Sequence, residues 1–224
     1  MKKIISALLS FFVVLVFSNG AQAQLVIDDF NSGTVTSQIG AGSSFSPTIA
    51  TDILGGQRLN FIGVPNLSGA EFFGTVGFNN GNLVISQGSL DEIVGGVQYS
   101  GLNGTDLTGG GAFSSFFFDF TSLDSPVPLT DVLELSVTSG GTTVSHNVTI
   151  PDQNSATQVA VGFNNFNNVD FTSVDLVELE FDFTGNPGRD LQLGSLSVTG
   201  VPEPGSLTFL SCAVTAMLLR RRRK

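Results

Sequence analysis

Short runs of strict polar–apolar alternation, each closed by Gly, Asn, Asp or Pro, constrain this chain most. Within 131–138, Leu133, Leu135 and Val137 fall on one side, and Glu134, Ser136 and Thr138 on the other. Val144, His146, Val148 and Ile150 alternate with Ser145, Asn147 and Thr149, and Val177, Leu179, Phe181 and Phe183 with Glu178, Glu180 and Asp182. Phe116, Phe118 and Phe120 form another such face, as do Val159, Val161 and Phe163. A period of two is that of a half-buried β-strand. About ten to twelve candidate strands follow, bounded by turn residues. One-sided alternation means one face packs on a core and the other meets water, which favours antiparallel over parallel sheets. The fold class is therefore all-β: an antiparallel β-sandwich, jelly-roll-like, with two four- to six-stranded sheets. An immunoglobulin-like sandwich is the alternative.

Several local features sharpen this reading. Ser139-Gly140-Gly141 predicts a tight hairpin between strands at 131–138 and 143–150. In the last strand the alternation of Leu191 and Leu193 changes phase before Leu196 and Val198, which places a bulge at Gly194. The first strand, running from Leu25 into Asp28 and Asp29, and the last are expected to meet at a sheet edge. Gly77-Phe78-Asn79-Asn80 recurs as Gly162-Phe163-Asn164-Asn165. Both copies read as turns rather than as a duplicated ligand loop, because Asn tolerates left-handed backbone.

The two ends carry a different signature. Lys2 and Lys3 precede an apolar run over 4–17, and Ala21-Gln22-Ala23 follows, which is the layout of a cleaved secretory signal. Ala21 and Ala23 are the expected cleavage residues, making 1–23 a signal peptide and Gln24 the mature start. At the other end, Val201-Pro202-Glu203-Pro204 leads into an apolar stretch over 207–219 and then Arg220, Arg221, Arg222, Arg223 and Lys224. That stretch of about 13 residues is short for ~30 Å of hydrocarbon, which needs about 20. The prolines prevent a helix from continuing upstream, and the basic cluster would hold this end in the cytoplasm.

Residues 201–224 resemble the PEP-CTERM sorting signal of Gram-negative bacteria, with Pro202, Glu203 and Pro204 as the sorting motif, 206–219 as its short transmembrane segment, and Arg220 to Arg223 as the membrane-stop cluster. The resemblance implies an exported protein, removal of the signal by an exosortase-type enzyme, membrane association only before processing, and a destination at the cell surface or extracellular matrix of an exopolysaccharide producer. The domain between the ends is 24–200.

Charge limits what that domain can meet. Without its ends it keeps 18 acidic residues against Arg58 and Arg189, a formal charge of about −16 where the whole chain has −10. Such a surface repels nucleic acid, anionic lipid and acidic polysaccharide. Cys212 is the single cysteine and lies outside the domain, so no disulfide or thiolate metal site is available there.

The same composition is poor in catalytic groups. His146 is the only histidine and falls on an apolar strand face, with no G-x-S-x-G elbow to support a triad. A zinc site of the usual kind lacks ligands. Paired carboxylates suffice for a glycosidase, and Glu178, Glu180, Asp182 and Glu134 are the candidates. With one Tyr, no Trp and two arginines to hold a sugar, they read instead as a solvated acidic stripe. No catalytic residue is assigned. Ca2+ is the cation best suited to so acidic a domain, with Asp28, Asp29 and Asp190 as candidate ligands if the terminal strands meet. The function expected is a non-enzymatic surface or matrix protein associated with exopolysaccharide. A carbohydrate-binding module is the first alternative and a carbohydrate-active enzyme the second.

Overall fold

The computed structural model describes residues 24–200 apart from 34, 40–41, 65–72, 89–91, 124–128, 151–155 and 186–187. The expected signal peptide and sorting motif, with the apolar segment and the basic cluster, all lie outside the described residues. Thirteen strands are described: β1 (Gln24–Asp28), β2 (Thr36–Ile39), β3 (Gly42–Ile49), β4 (Gln57–Val64), β5 (Phe73–Asn79), β6 (Asn82–Gln87), β7 (Val94–Tyr99), β8 (Ser115–Leu123), β9 (Leu129–Ser139), β10 (Thr142–Ile150), β11 (Thr157–Gly162), β12 (Leu176–Asp182) and β13 (Leu191–Thr199). They build two antiparallel sheets. The first runs β11-β8-β13-β6-β5-β2, with β1 also pairing β13, and the second runs β10-β9-β12-β7-β4-β3. The chain passes from one sheet to the other after β2, β4, β6, β7, β8, β10, β11 and β12, as a jelly-roll sandwich requires.

The alternation holds in three dimensions. Leu133, Leu135, Val137, Val177, Leu179 and Phe181 of the second sheet are buried, as are Phe116, Phe118, Phe120, Leu191, Leu193, Leu196 and Val198 of the first. Phenylalanine does the work that Trp and Tyr do elsewhere. Phe116 meets Phe163, Phe166 and Phe171 edge-on at 5.2, 5.9 and 6.0 Å, so one end of the core is an aromatic cluster. The β9–β10 hairpin forms as expected, one residue tighter. Ser139 pairs Thr142, and Gly140 and Gly141 have φ of 55° and 78°, a two-residue turn with both residues left-handed.

Of the recurrent Gly-Phe-Asn-Asn segments only the second is a turn; in the first, Gly77, Phe78 and Asn79 end strand β5 and only Asn80 enters the turn. Asn80 and Gly81 close β5–β6 with φ of 50° and 74°, and Phe163–Asn165 is a single 3-10 turn. Register shifts on either side of Leu193 confirm the bulge at Gly194. The terminal strands do meet, pairing Gln24 with Thr199 and Asp28 with Leu196, and among the described strands β1 pairs with β13 alone. β13 lies inside its sheet, between β8 on one side and β6 and β1 on the other. Its bulges and length let two short strands share one flank, which the sequence pattern does not reveal.

Where β1 ends, a buried polar cluster joins the two sheets. Arg58 and Asp28 form an ion pair with both side chains fully buried. Tyr99 donates its hydroxyl to the same carboxylate at 3.0 Å, and the Phe30 amide donates to its other oxygen at 2.7 Å. Arg58 also donates to the Ser32 carbonyl, and its guanidinium lies 3.9 Å from the centroid of the Phe78 ring. Burial pushes the Asp28 carboxyl above its ordinary range despite the pull of Arg58 and three hydrogen bonds. The cluster spans β1 of the first sheet and β4 and β7 of the second, so each member depends on the others for its desolvated charge.

Removing one partner therefore leaves a buried, uncompensated charge. Arg58→Met is expected to lower the unfolding free energy by about 3–5 kcal/mol in urea denaturation, and Asp28→Leu in the Arg58→Met background to recover much of the loss. Equal losses in the single and double variants would show that the cluster contributes through packing and not through its charges.

Candidate functional site

The outward side chains of the second sheet assemble what chemistry the domain presents. Registers run straight across it. Phe45 of β3 faces Phe61 of β4, Phe61 faces Gly96 of β7, Gly96 faces Glu180 of β12, Glu180 faces Glu134 of β9, and Glu134 faces Asn147 of β10. The adjacent row on the same face reads Pro47, Leu59, Gln98, Glu178, Ser136 and Ser145. With neighbouring strands ~4.8 Å apart, each row is about 24 Å long.

One end of the face is apolar. Phe45 is 64% exposed and Ile49 82% exposed, both on the outer side of edge strand β3. Phe61 is half-buried beside them. A Cβ on Gly96 would lie 1.9 Å from the Leu179 carbonyl oxygen and 3.1 Å from Cζ of Phe61, so glycine is what lets β12 and the Phe61 ring approach β7 this closely. The result is an apolar shelf followed by a row position with no side chain.

Beyond that gap the face is polar. Gln98 donates its amide to Glu178. Ser136 donates to Glu134 at 3.2 Å and shares a hydrogen bond of 2.6 Å with Ser145, and Thr138 and Thr143 are joined at 2.8 Å. Glu180 lies between these groups. Partial burial, then the charges of Glu178, Glu134 and Asp182, raise its carboxyl above the ordinary value of 4.5. Like charges directly opposite across strands are unfavourable, so the pairing of Glu180 with Glu134 is a local cost.

The other candidates fall elsewhere. Asp28 is committed to Arg58 and Tyr99 in the core, so its carboxylate is not presented to a soluble cation. Asp29 accepts from the amide and side chain of Asn31 at 3.1 and 2.7 Å, and Asp190 accepts from the Gln87 amide at 3.2 Å. Among the described residues no three His, Cys, Asp or Glu side chains form a group able to hold a metal ion. His146 is half-buried on the inner side of β10, where its ring meets Phe166 edge-on at 5.8 Å. Glu134, Glu178, Glu180 and Asp182, read as one stripe, do share one face.

The shelf is not visible in the alternation of the sequence. Phe45 and Phe61 fall in none of the alternating runs read from the sequence, and both point outward. The signal was present in Ser43-Ser44-Phe45-Ser46, a phenylalanine in a run too polar to have a buried side.

No protein family's sequence profile matches the chain, and no curated protein matches it. Solved structures of similar layout include a family 11 carbohydrate-binding module from Clostridium thermocellum in complex with a β-1,3-1,4-mixed-linked tetrasaccharide, at 14% identity and a TM-score of 0.45, covering 82% of this chain and 99% of that one. A mutant of a family 29 carbohydrate-binding module is 12% identical with a TM-score of 0.34, covering 70% of this chain and 92% of its own. An agarase is 12% identical with a TM-score of 0.45, covering 81% of this chain but 25% of the agarase.

Proposed function

We propose that this is an exported, non-catalytic polysaccharide-binding protein that holds its ligand across the outer face of the second sheet. The observation that carries the reading is the pairing of Phe45 with Phe61 at one end of a row that continues through Gly96 to Glu180 and Glu134. A pyranose ring has an apolar face and a rim of hydroxyl donors. The shelf offers apolar surface to the first, and carboxylates and the Gln98 side chain offer hydrogen-bond acceptors to the second. The acidity of the domain disfavours an anionic polysaccharide. The tail resembling a PEP-CTERM signal supports export, exosortase-type processing and a place at the surface or matrix of a Gram-negative cell.

A hydrolytic reading draws on one observation, the raised carboxyl of Glu180 opposite Glu134, since glycoside hydrolysis uses one protonated and one ionised carboxyl. Against it, Glu178 and Glu134 are already engaged by Gln98 and Ser136 on the face itself. The face accordingly reads as one that holds a glycan and leaves it intact.

Affinity electrophoresis of residues 24–200 through gels carrying different polysaccharides tests the binding. At least one non-acidic polysaccharide is expected to retard the domain, and Phe45→Ala or Phe61→Ala to weaken retention roughly five- to tenfold, the value of part of a buried aromatic side chain. Retention unchanged in both variants would remove the shelf from the site. Release of soluble sugar from the retained polymer, abolished by Glu180→Gln, would establish the enzyme instead.

The charge on Glu180 has a separate consequence. Its folded carboxyl titrates above the unfolded value, so its stabilising contribution is present at low pH and is lost as pH rises through the folded pKa. Glu180→Gln is expected to raise the melting temperature at pH 7 and to have no effect below about pH 4, where the wild-type carboxyl is also neutral. A gain of the same size at both pH values would show that charge is not the cause.

For the sorting signal, mass spectrometry of surface-located protein is expected to find no Arg220–Lys224 tail. An intact tail would rule out processing.

A further inference from the structure

We infer that the polysaccharide held on this face is an amino-sugar polymer bearing free ammonium groups. This rests on the polysaccharide reading above and narrows it. Lysine is absent between Lys3 and Lys224, so the domain's cations are Arg58 and Arg189. Arg58 is locked in the core against Asp28. On the outer face, Glu134, Glu178 and Glu180 sit on two neighbouring strands, and the charged groups that act on Glu180 are three other carboxylates.

Neutral hydroxyls can donate to these carboxylates, but they leave the mutual repulsion in place. An ammonium group removes it. The shelf sets the register in which this happens. With strands ~4.8 Å apart, a ring stacked on Phe61 leaves the next two strand positions, across Gly96, to bring later rings over Glu180 and then Glu134. The tip of the Phe61 ring reaches over Gly96, where a Cβ would lie 3.1 Å from Cζ, so the apolar shelf extends to the β7 position next to Glu180. Apolar contact therefore fixes the polymer at the β3–β4 end, and charge complementarity selects its chemistry at the β12–β9 end. Exposed ion pairs are individually weak, and three together, two in one row and one in the next, add up to a preference of about tenfold.

The test measures binding of the exported protein to three polymers of similar length: a de-N-acetylated glucosamine polymer, its fully N-acetylated form and a neutral glucan, at about pH 6 and low salt. The expected result is that the de-N-acetylated polymer binds about tenfold more tightly than the other two, and that its advantage falls below about twofold in high salt. The triple variant Glu134→Gln, Glu178→Gln, Glu180→Gln is expected to lose the preference, so that its affinities for the three polymers agree within about twofold. Phe45→Ala is expected to weaken all three, with urea midpoints confirming that each variant is folded. Equal binding of all three polymers would overturn the amino-sugar assignment and leave the polysaccharide reading intact. Binding to none would overturn both. A preference that survives in the triple variant, or binding of the cationic polymer that Phe45→Ala does not affect, would show diffuse attraction to an acidic protein and would overturn the assignment.

Discussion

The buried ion pair between Arg58 and Asp28 is the interaction on which the remaining architecture depends. One of the domain's two cations is withdrawn from the surface to neutralise a carboxylate that β1 carries into the core. This joins the first sheet to β4 and β7 of the second through Tyr99 and the Phe30 amide. β4 contributes Arg58, Asn60 and Ile62 to the inside and Leu59 and Phe61 to the outside. The same strand therefore fastens the sandwich and presents the shelf. Withdrawing Arg58 also leaves the outer face with almost no positive charge of its own, so its acidic row stays uncompensated.

The face combines two opposed tendencies. Exposed Phe45 and Ile49 on an edge strand would ordinarily invite association with other chains. Pro47 on the same strand lacks an amide donor and interrupts edge pairing, and the net negative charge keeps copies apart. What remains attractive to the shelf is an apolar surface that carries no negative charge, which a sugar ring satisfies.

Much of the fold is legible in the sequence because period-two alternation is a strong signal when one face is buried. Leu133, Leu135 and Val137 announce β9, Gly140-Gly141 its hairpin, and Gly194 the bulge of β13. The pairing of β1 with the inside of a sheet is not legible, because it depends on β13 being long enough to flank both β1 and β6. The acidic stripe of Glu178, Glu180 and Asp182 can be read directly. The burial of Arg58 cannot: a lone arginine in a strand is ordinarily exposed, and only the Asp28 and Tyr99 partners from distant strands make its inward phase tolerable. Phe45 and Phe61 stay hidden because neither falls in one of the alternating runs.

The most direct measurement is residue-resolved NMR of residues 24–199 titrated with a soluble fragment of the retained polysaccharide. The account predicts that amide shifts concentrate on Phe45, Phe61, Gly96, Gln98, Glu180 and Glu134, in one continuous band across the second sheet. Shifts confined to the first sheet, or scattered with no band, would contradict it.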